Sequence, residues 1–317
     1  MILITGGFGY LGGRIAKRLV NSRKEKIVLG TREISPKIPN ELKGCKVVQM
    51  ELDDHNQLLS ACTNIETVIH LAAMNAPDCT ANPEQAFMVN SIGTRNLLKA
   101  ASNSSVKNFI YFSTAHIYGS PLQGLINEST IPNPTHPYAV THKQAEEYVL
   151  EFDSKSLING IVLRLSNGIG APLDINVNCW MLAANSFCRQ VVTERKMNIT
   201  GSTTERDFIP ITSVEDLIEF LINNPRSITD QKIINVGSGV SMSIYELSNL
   251  IAERCSFLFD FSPKIIINDE HEEKSALEFE YACDIYAKLN ISSTKTLTEE
   301  IDQLLLFCNK RVQLFKC

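Results

Sequence analysis

Ile2-Leu3-Ile4-Thr5-Gly6-Gly7-Phe8-Gly9-Tyr10-Leu11-Gly12 stands at the start of the chain and decides how the rest is read. Its first residues are apolar or β-branched and predict a buried strand. Gly6, Gly9 and Gly12 recur every third residue, which predicts a tight turn opening into a helix over Leu11–Ser22. Such a turn aims backbone N–H groups and the positive helix end at one spot, an anion site suited to a pyrophosphate. Phe8, Tyr10 and Leu11 lie in the same turn, so residues 6 and 8–12 are candidate dinucleotide contacts.

Outward from this turn, Met1–Thr5, Lys26–Leu29, Lys46–Met50, Thr67–Leu71, Phe109–Phe112 and Gly160–Leu165 are apolar runs without two-residue alternation. That pattern predicts strands buried on both faces, as in a parallel sheet. Amphipathic segments alternate with them at Leu11–Ser22, Asn56–Cys62, Pro83–Ala101 and Pro137–Phe152. The repetition predicts an α/β fold, a doubly wound Rossmann parallel sheet, over residues 1–170. Beyond it the rhythm breaks. Helices are predicted at Asn178–Glu194, Val214–Asn223, Ser243–Glu253 and Thr298–Asn309, with strands at Asn198–Gly201 and Lys264–Asn268. This predicts a smaller mixed C-terminal substrate domain over 171–317, with segments near 207–216 and 233–239 returning to the Rossmann side.

The 317-residue chain is 44 % apolar and 21 % charged, with a net charge of −5 and no basic run, which argues against a nucleic-acid partner. No apolar stretch reaches the roughly 18 residues of a membrane span, and the start lacks the basic residues and cleavage site of a secretion signal. Nine cysteines are scattered without any Cys-x-x-Cys, and six histidines make no ligand pair, so reduced thiols, a cytoplasmic location and no metal site are expected.

Cofactor choice turns on the end of the second strand, Val28-Leu29-Gly30-Thr31-Arg32-Glu33. A guanidinium there suits a 2′-phosphate, so Arg32 predicts NADP in preference to NAD. A solvated Arg32 paired with Glu33 is the alternative, and NAD then remains possible.

The ordered motifs resemble those of the extended short-chain dehydrogenase/reductase superfamily, the nucleotide-sugar epimerases, dehydratases and reductases. Glu51-Leu52-Asp53-Asp54 resembles the adenine-contacting turn, Val68-Ile69-His70-Leu71-Ala72-Ala73 the strand and loop under the cofactor, and Asn90-Ser91-Ile92-Gly93-Thr94 the Asn-x-x-Gly-Thr helix. Phe112-Ser113-Thr114-Ala115-His116-Ile117-Tyr118-Gly119 resembles the active-site strand, and Pro137-Tyr138-Ala139 the start of the catalytic helix. Leu163-Arg164-Leu165-Ser166-Asn167, Arg206-Asp207-Phe208 and Ile234-Asn235-Val236-Gly237-Ser238-Gly239 are similar to its later motifs. The resemblance implies cofactor contacts at Glu51, Leu52, Leu71, Ala72, Ala73, Asn90, Tyr138, His142 and Leu165. It implies substrate contacts at Thr114 and Asn167, and homodimers formed through the helices near 83–101 and 137–152. His116 is a candidate substrate contact, second proton donor or plain loop residue, and Arg206 either meets the substrate's charge or pairs with Asp207 or Glu205. By the same resemblance, Tyr138 is the acid/base and Thr114 hydrogen-bonds the reacting oxygen.

One departure stands out. The family keeps a lysine four residues after the tyrosine, where its charge favours the phenolate; this chain has His142, with Lys143 about 100° further round the helix. A protonated His142 bonded to the nicotinamide ribose would help Tyr138 in part and favour mildly acidic pH. A helix irregularity could instead swing Lys143 inward. A third reading is a catalytically impaired dinucleotide-binding protein.

A 4,6-dehydratase of this family carries an Asp-Glu pair after the Ser/Thr, and Ala115-His116 stands there instead, so dehydration is not expected. With Arg32, the expected activity is that of an NADPH-dependent 4-keto-sugar reductase or epimerase-reductase acting on a nucleotide-activated sugar. The alternative is an NAD-dependent nucleotide-sugar 4-epimerase. Near the last helix, where relatives place a diphosphate-gripping arginine, only Lys274 is cationic.

Overall fold

A computed structural model of the chain describes residues 1–22, 26–225, 227, 231–269 and 279–315. The strands of its first half are β1 (Ile2–Thr5), β2 (Ile27–Thr31), β3 (Lys46–Gln49), β4 (Thr67–His70), β5 (Asn108–Thr114), β6 (Gly124–Ile126) and β7 (Asn159–Leu165). Those of the second are β8 (Asn167–Ile169), β9 (Lys196–Ile199), β10 (Glu205–Pro210), β11 (Ile233–Val236), β12 (Ser241–Ser243), β13 (Lys264–Ile267) and β14 (Phe279–Tyr281). The helices are α1 (Tyr10–Ser22), α2 (His55–Ala61), α3 (Ala76–Ala81), α4 (Pro83–Ala86), α5 (Gly93–Ser102) and α6 (Pro137–Ser154). They continue as α7 (Ala183–Glu194), α8 (Ile211–Asn223), α9 (Ile244–Phe259), α10 (Ile285–Lys288) and α11 (Leu297–Asn309).

Contacts group the chain into two compact units. The first takes in Met1–Pro121, Glu128–Leu165 and Ile218–Asn235. It holds a seven-stranded sheet of order β11-β7-β5-β4-β1-β2-β3, with parallel registers from β7 through to β3. Strand order reverses beside β1, which has β2 on one flank and β4 on the other, and open α/β sheets bind ligands at such a switch point. Every residue of β1 and β4 is buried, which is why these strands read as continuous apolar runs. Leu3, Val68, Phe109 and Val162 pack with Leu97, Ala101 and Val149 of α5 and α6 on one face of the sheet.

The expected single helix over Pro83–Ala101 is in fact α4, a π-helical turn over Phe87–Ile92, and α5. The wider turn carries Asn90 and Ser91, both hydrogen-bonded to Thr141 of α6. The sheet side of α6 is buried through Ala139, His142, Ala145, Glu146, Val149 and Phe152, a stripe at helical spacing.

In the second unit β10 runs parallel to β8 and antiparallel to β12, and β9–β13 and β6–β14 form two-stranded parallel pairs. Phe187, Leu247, Ile251 and Leu304 of α7, α9 and α11 share its core. Helix α7 begins at Ala183, later than expected, because Asn178–Leu182 is a turn closed by Leu182 N–H on the Cys179 carbonyl. The strand expected at Asn198–Gly201 lies at Lys196–Ile199, since Gly201 turns with φ +62° and gives its N–H to Asp269. Residues 207–216 sit in this unit, where β10 pairs β8 and β12 and Thr212 N–H donates to Glu300.

One ion pair ties the first unit together under α6. Arg164 on β7 grips Glu146 with both forks, Nε to Oε1 at 3.0 Å and Nη2 to Oε2 at 2.7 Å, and Nη1 donates to the Tyr118 hydroxyl. Tyr118 passes its proton to Asn235 of β11 at 2.7 Å. The side chains of Arg164 and Glu146 are 2 % and 0 % exposed, so losing one partner strands a charge. Glu146→Gln is expected to destabilise the protein by about 3–5 kcal/mol in urea unfolding.

Candidate active site and dinucleotide cradle

The switch point places the glycine turn after β1 against the loop after β4. Gly6 holds φ +65°, and a Cβ on it would sit 3.1 Å from the Ala72 nitrogen. A Cβ on Gly12 would lie 2.2 Å from the Gly6 carbonyl oxygen, so only glycine lets α1 start this close to the turn. Gly9 N–H closes the turn on Gly6 at 2.8 Å. Helix α1 carries no acidic residue in its first turn to neutralise its positive end. This cradle fits the pyrophosphate of a dinucleotide. Around it, Glu51 N–H donates to Gln57, and Leu52 packs where a Gly93 side chain would stand. Arg32 is exposed just past β2, and among the described residues it makes no ion pair with Glu33, whose N–H bonds Thr31.

A buried hydrogen-bond chain links this cradle to α6. Thr5 Oγ1 accepts the N–H groups of Leu71 and Ala72, so its own proton points to His70 Nδ1 at 2.7 Å. His70 therefore carries its proton on Nε2 and donates it to Thr94 Oγ1 at 2.9 Å; Thr94 donates in turn to the Asn90 carbonyl. The Asn90 side chain accepts Met74 N–H at 2.7 Å and donates to Thr141 at 3.1 Å. Burial holds His70 down to about 3, so it stays neutral.

At the C-terminal end of β5, Thr114 is paired in register with Leu165 of β7 and hydrogen-bonds the Tyr138 phenol. Tyr138 occupies the first turn of α6, which Pro137 starts and His136 caps by accepting Ala139 N–H. Burial pushes the phenol up to about 12, the Cys79 thiol adds to the rise, and Thr114 opposes it. His116 begins the turn after Thr114 and meets His136 edge-on at 5.7 Å, while His136 stacks with Tyr138 at 6.1 Å.

Neither expectation for a cation beside Tyr138 is met. His142 lies one turn on with its ring 4.2 Å from the Tyr138 ring, but its Nδ1 bonds the Tyr138 carbonyl at 2.9 Å. Burial lowers it to about 4 against the opposing pull of that bond, and His116 and His136 lower it further. His142 is neutral at pH 7, not protonated. Helix α6 is regular here, and Lys143 faces outward with its ammonium on Glu147 at 2.9 Å. His136 and Cys79, neighbours of the phenol, and Thr141, bonded to the Tyr138 carbonyl, are residues that the motifs did not single out; the His-Pro pair before Tyr138 was the available signal for a capping histidine.

In the second unit Asn167 donates to the Asp207 carbonyl at 2.9 Å. The Asp207 carboxylate takes bonds from Ser166, Ser238 and Gly239, and Glu205 accepts Phe279 N–H. Arg206 forms no ion pair among the described residues, and burial lowers its pKa. Lys274 lies outside the described residues. Among those residues no cluster of His, Cys, Asp and Glu is arranged to hold a metal, and no helix is long and apolar enough to cross a membrane.

A parallel sheet with a glycine turn at its switch point and a Thr–Tyr pair beside it defines a dinucleotide-dependent enzyme class. Residues 2–237 match the NAD dependent epimerase/dehydratase family, and the chain belongs to that family of extended short-chain dehydrogenases/reductases. It is 28 % identical over 256 residues to GDP-6-deoxy-D-talose 4-dehydrogenase of Aggregatibacter actinomycetemcomitans, covering 80 % of this chain and 79 % of that protein. The fold is similar to that of UDP-glucose 4-epimerase from Thermotoga maritima, solved with UDP-glucose (TM-score 0.83, 21 % identity, 98 % of this chain and 99 % of that one). It also resembles RMD from Pseudomonas aeruginosa, solved with NADPH (TM-score 0.77, 21 % identity, 98 % and 99 %).

The buried imidazole sets a pH dependence of folding. An unfolded histidine binds its proton near pH 6.5, whereas folded His142 resists until about 4, so stability falls as pH drops through that window. From about pH 7.5 to about pH 5 the His142 contribution is about 2 kcal/mol. Urea unfolding of His142→Gln at both values is expected to show a loss smaller by that amount than wild type.

Proposed function

We propose that this protein is an NADPH-dependent reductase of a 4-keto nucleotide sugar, or an epimerase-reductase ending in that step. The observation that carries the reading is a Thr114–Tyr138 pair beside the glycine cradle, with no cation at the phenol among the described residues. A phenol in that state is an acid rather than a base at neutral pH. When bound, NADPH supplies the hydride. Thr114 holds the carbonyl oxygen of the sugar, and Tyr138 gives its proton to that oxygen as the alcohol forms. The named activity of the talose relative, a 4-dehydrogenase of a nucleotide sugar, points to the same carbon.

In this reading the first unit binds the dinucleotide through Gly6 to Gly12, Glu51, Leu52, Leu71 to Ala73, Asn90 and Leu165, with exposed Arg32 meeting the 2′-phosphate. The second recognises the nucleotide sugar, its diphosphate facing Arg206 and its sugar Asn167. His116 serves as a further substrate contact. Phe87, Met88 and Val140 expose apolar surface on the π turn and α6, which suits the homodimer that the resemblance implies. The free thiols Cys62, Cys79 and Cys188, all buried, suit a cytoplasmic setting.

The test is a panel of nucleotide sugars and their 4-keto derivatives with NADPH and NADH, followed at the nicotinamide absorbance band. NADPH oxidation by a 4-keto sugar is expected, falling by about 10²–10⁴ in Tyr138→Phe. Interconversion of 4-epimers with tightly retained NAD would instead establish the epimerase, and binding without turnover an impaired enzyme.

A further inference from the structure

A row of buried side chains joins the glycine turn to the proton donor, and His70 stands at its centre. The row starts at Thr5, directly before Gly6, and runs through His70 on the adjacent strand to Thr94 of α5. His70 is fully buried with both ring nitrogens committed, so it has no polar atom left for a substrate or a cofactor. Its Nε2–H fills a lone pair of the Thr94 hydroxyl, and that hydroxyl then donates to the Asn90 carbonyl, 2.6 Å away and four residues back. A threonine bonded back in this way bends a helix. Here the carbonyl belongs to the π turn, where Gly93 N–H reaches five residues back to Met88. That turn grips α6 at two atoms of one residue. Asn90 donates to Thr141 Oγ1 at 3.1 Å, and Ser91 donates to the Thr141 carbonyl at 2.9 Å. Thr141 gives its own proton to the Tyr138 carbonyl at 3.0 Å.

We propose that His70 is a positioning residue for Tyr138: through Thr94 and the π turn it sets where the first turn of α6 stands relative to the glycine turn, and so where the phenol stands. The inference rests on the reading above, in which Tyr138 is the proton donor. The row moves no proton and carries no charge; its contribution is geometry. That contribution is large in kinetic terms, because a proton donor misplaced by about 1 Å loses on the order of 10²-fold in rate.

The experiment compares Thr94→Val, which removes the hydroxyl and keeps the shape, with Thr94→Ser, which keeps the hydroxyl. Hydrogen exchange read by mass spectrometry is expected to quicken over residues 138–142 in Thr94→Val, with residues 145–154 of the same helix unchanged and Thr94→Ser like wild type. With the 4-keto sugar that the panel identifies, kcat should fall by about 10²-fold in Thr94→Val. The KM for NADPH should hold, since the bonds from Leu71 and Ala72 to Thr5 are untouched. Exchange unmoved at 138–142, exchange quickened equally in Thr94→Ser, or an unchanged kcat overturns the inference and leaves the reductase reading standing. Failure of NADPH and NADH to bind, or binding without turnover, overturns the functional reading, and the inference falls with it. Should Thr94→Val fail to fold, ¹⁵N-histidine NMR of the unaltered protein, assigned with His70→Gln, decides instead. His70 must show a bare Nδ1, a protonated Nε2 and no charging near its ordinary 6.5. The opposite tautomer, or a proton taken up near that pH, breaks the row at its first link and overturns the inference.

Discussion

The carbonyl oxygen of Tyr138 accepts from the Nδ1–H of His142 and from the hydroxyl of Thr141, and the state of the site follows from that crowding. One bond orients the imidazole and fixes its tautomer. The other ties the same peptide to Asn90 and so to the π turn. A side chain held this way cannot rotate to present its protonated nitrogen elsewhere, and its burial disfavours a second proton. The phenol one turn earlier then sits in a neutral surrounding, which is the electrostatic opposite of what a lysine would create.

Architecture supplies the neighbours for this arrangement. Thr5 and His70 end adjacent parallel strands in register, so the glycine turn and the Leu71–Ala73 loop emerge side by side. Thr114 ends the next strand along, and α6 crosses it. The Arg164–Glu146 pair holds α6 to β7 from beneath, with its charges cancelled in place. The cradle and the proton donor are thus built on rigid elements of one unit.

Much of this was legible in the sequence. Strands buried on both faces announce themselves as apolar runs, and the glycine spacing has few other uses at a strand end. The Thr114 and Tyr138 assignments came from resemblance, since a lone threonine and tyrosine have no readable geometry. Other features left no periodic signal. The π turn arises from one widened turn in an otherwise helical stretch, and β8 and β12 are only three residues long. Burial rather than residue type decides the charge of His142, and burial depends on how α6 packs. An inward Lys143 required a helix irregularity, and the side chain instead pairs with Glu147 on the regular helix.

The chain of bonds from Thr5 through His70 and Thr94 to Asn90 has a direction, because each hydroxyl in it has a single proton to give and each acceptor is already claimed. Reversing any one link leaves two donors facing each other somewhere else along the row. Substitutions at these positions are therefore coupled through their hydrogen bonds. A descendant that replaces the imidazole must choose a group that still accepts at one end and donates at the other, or alter the threonines with it.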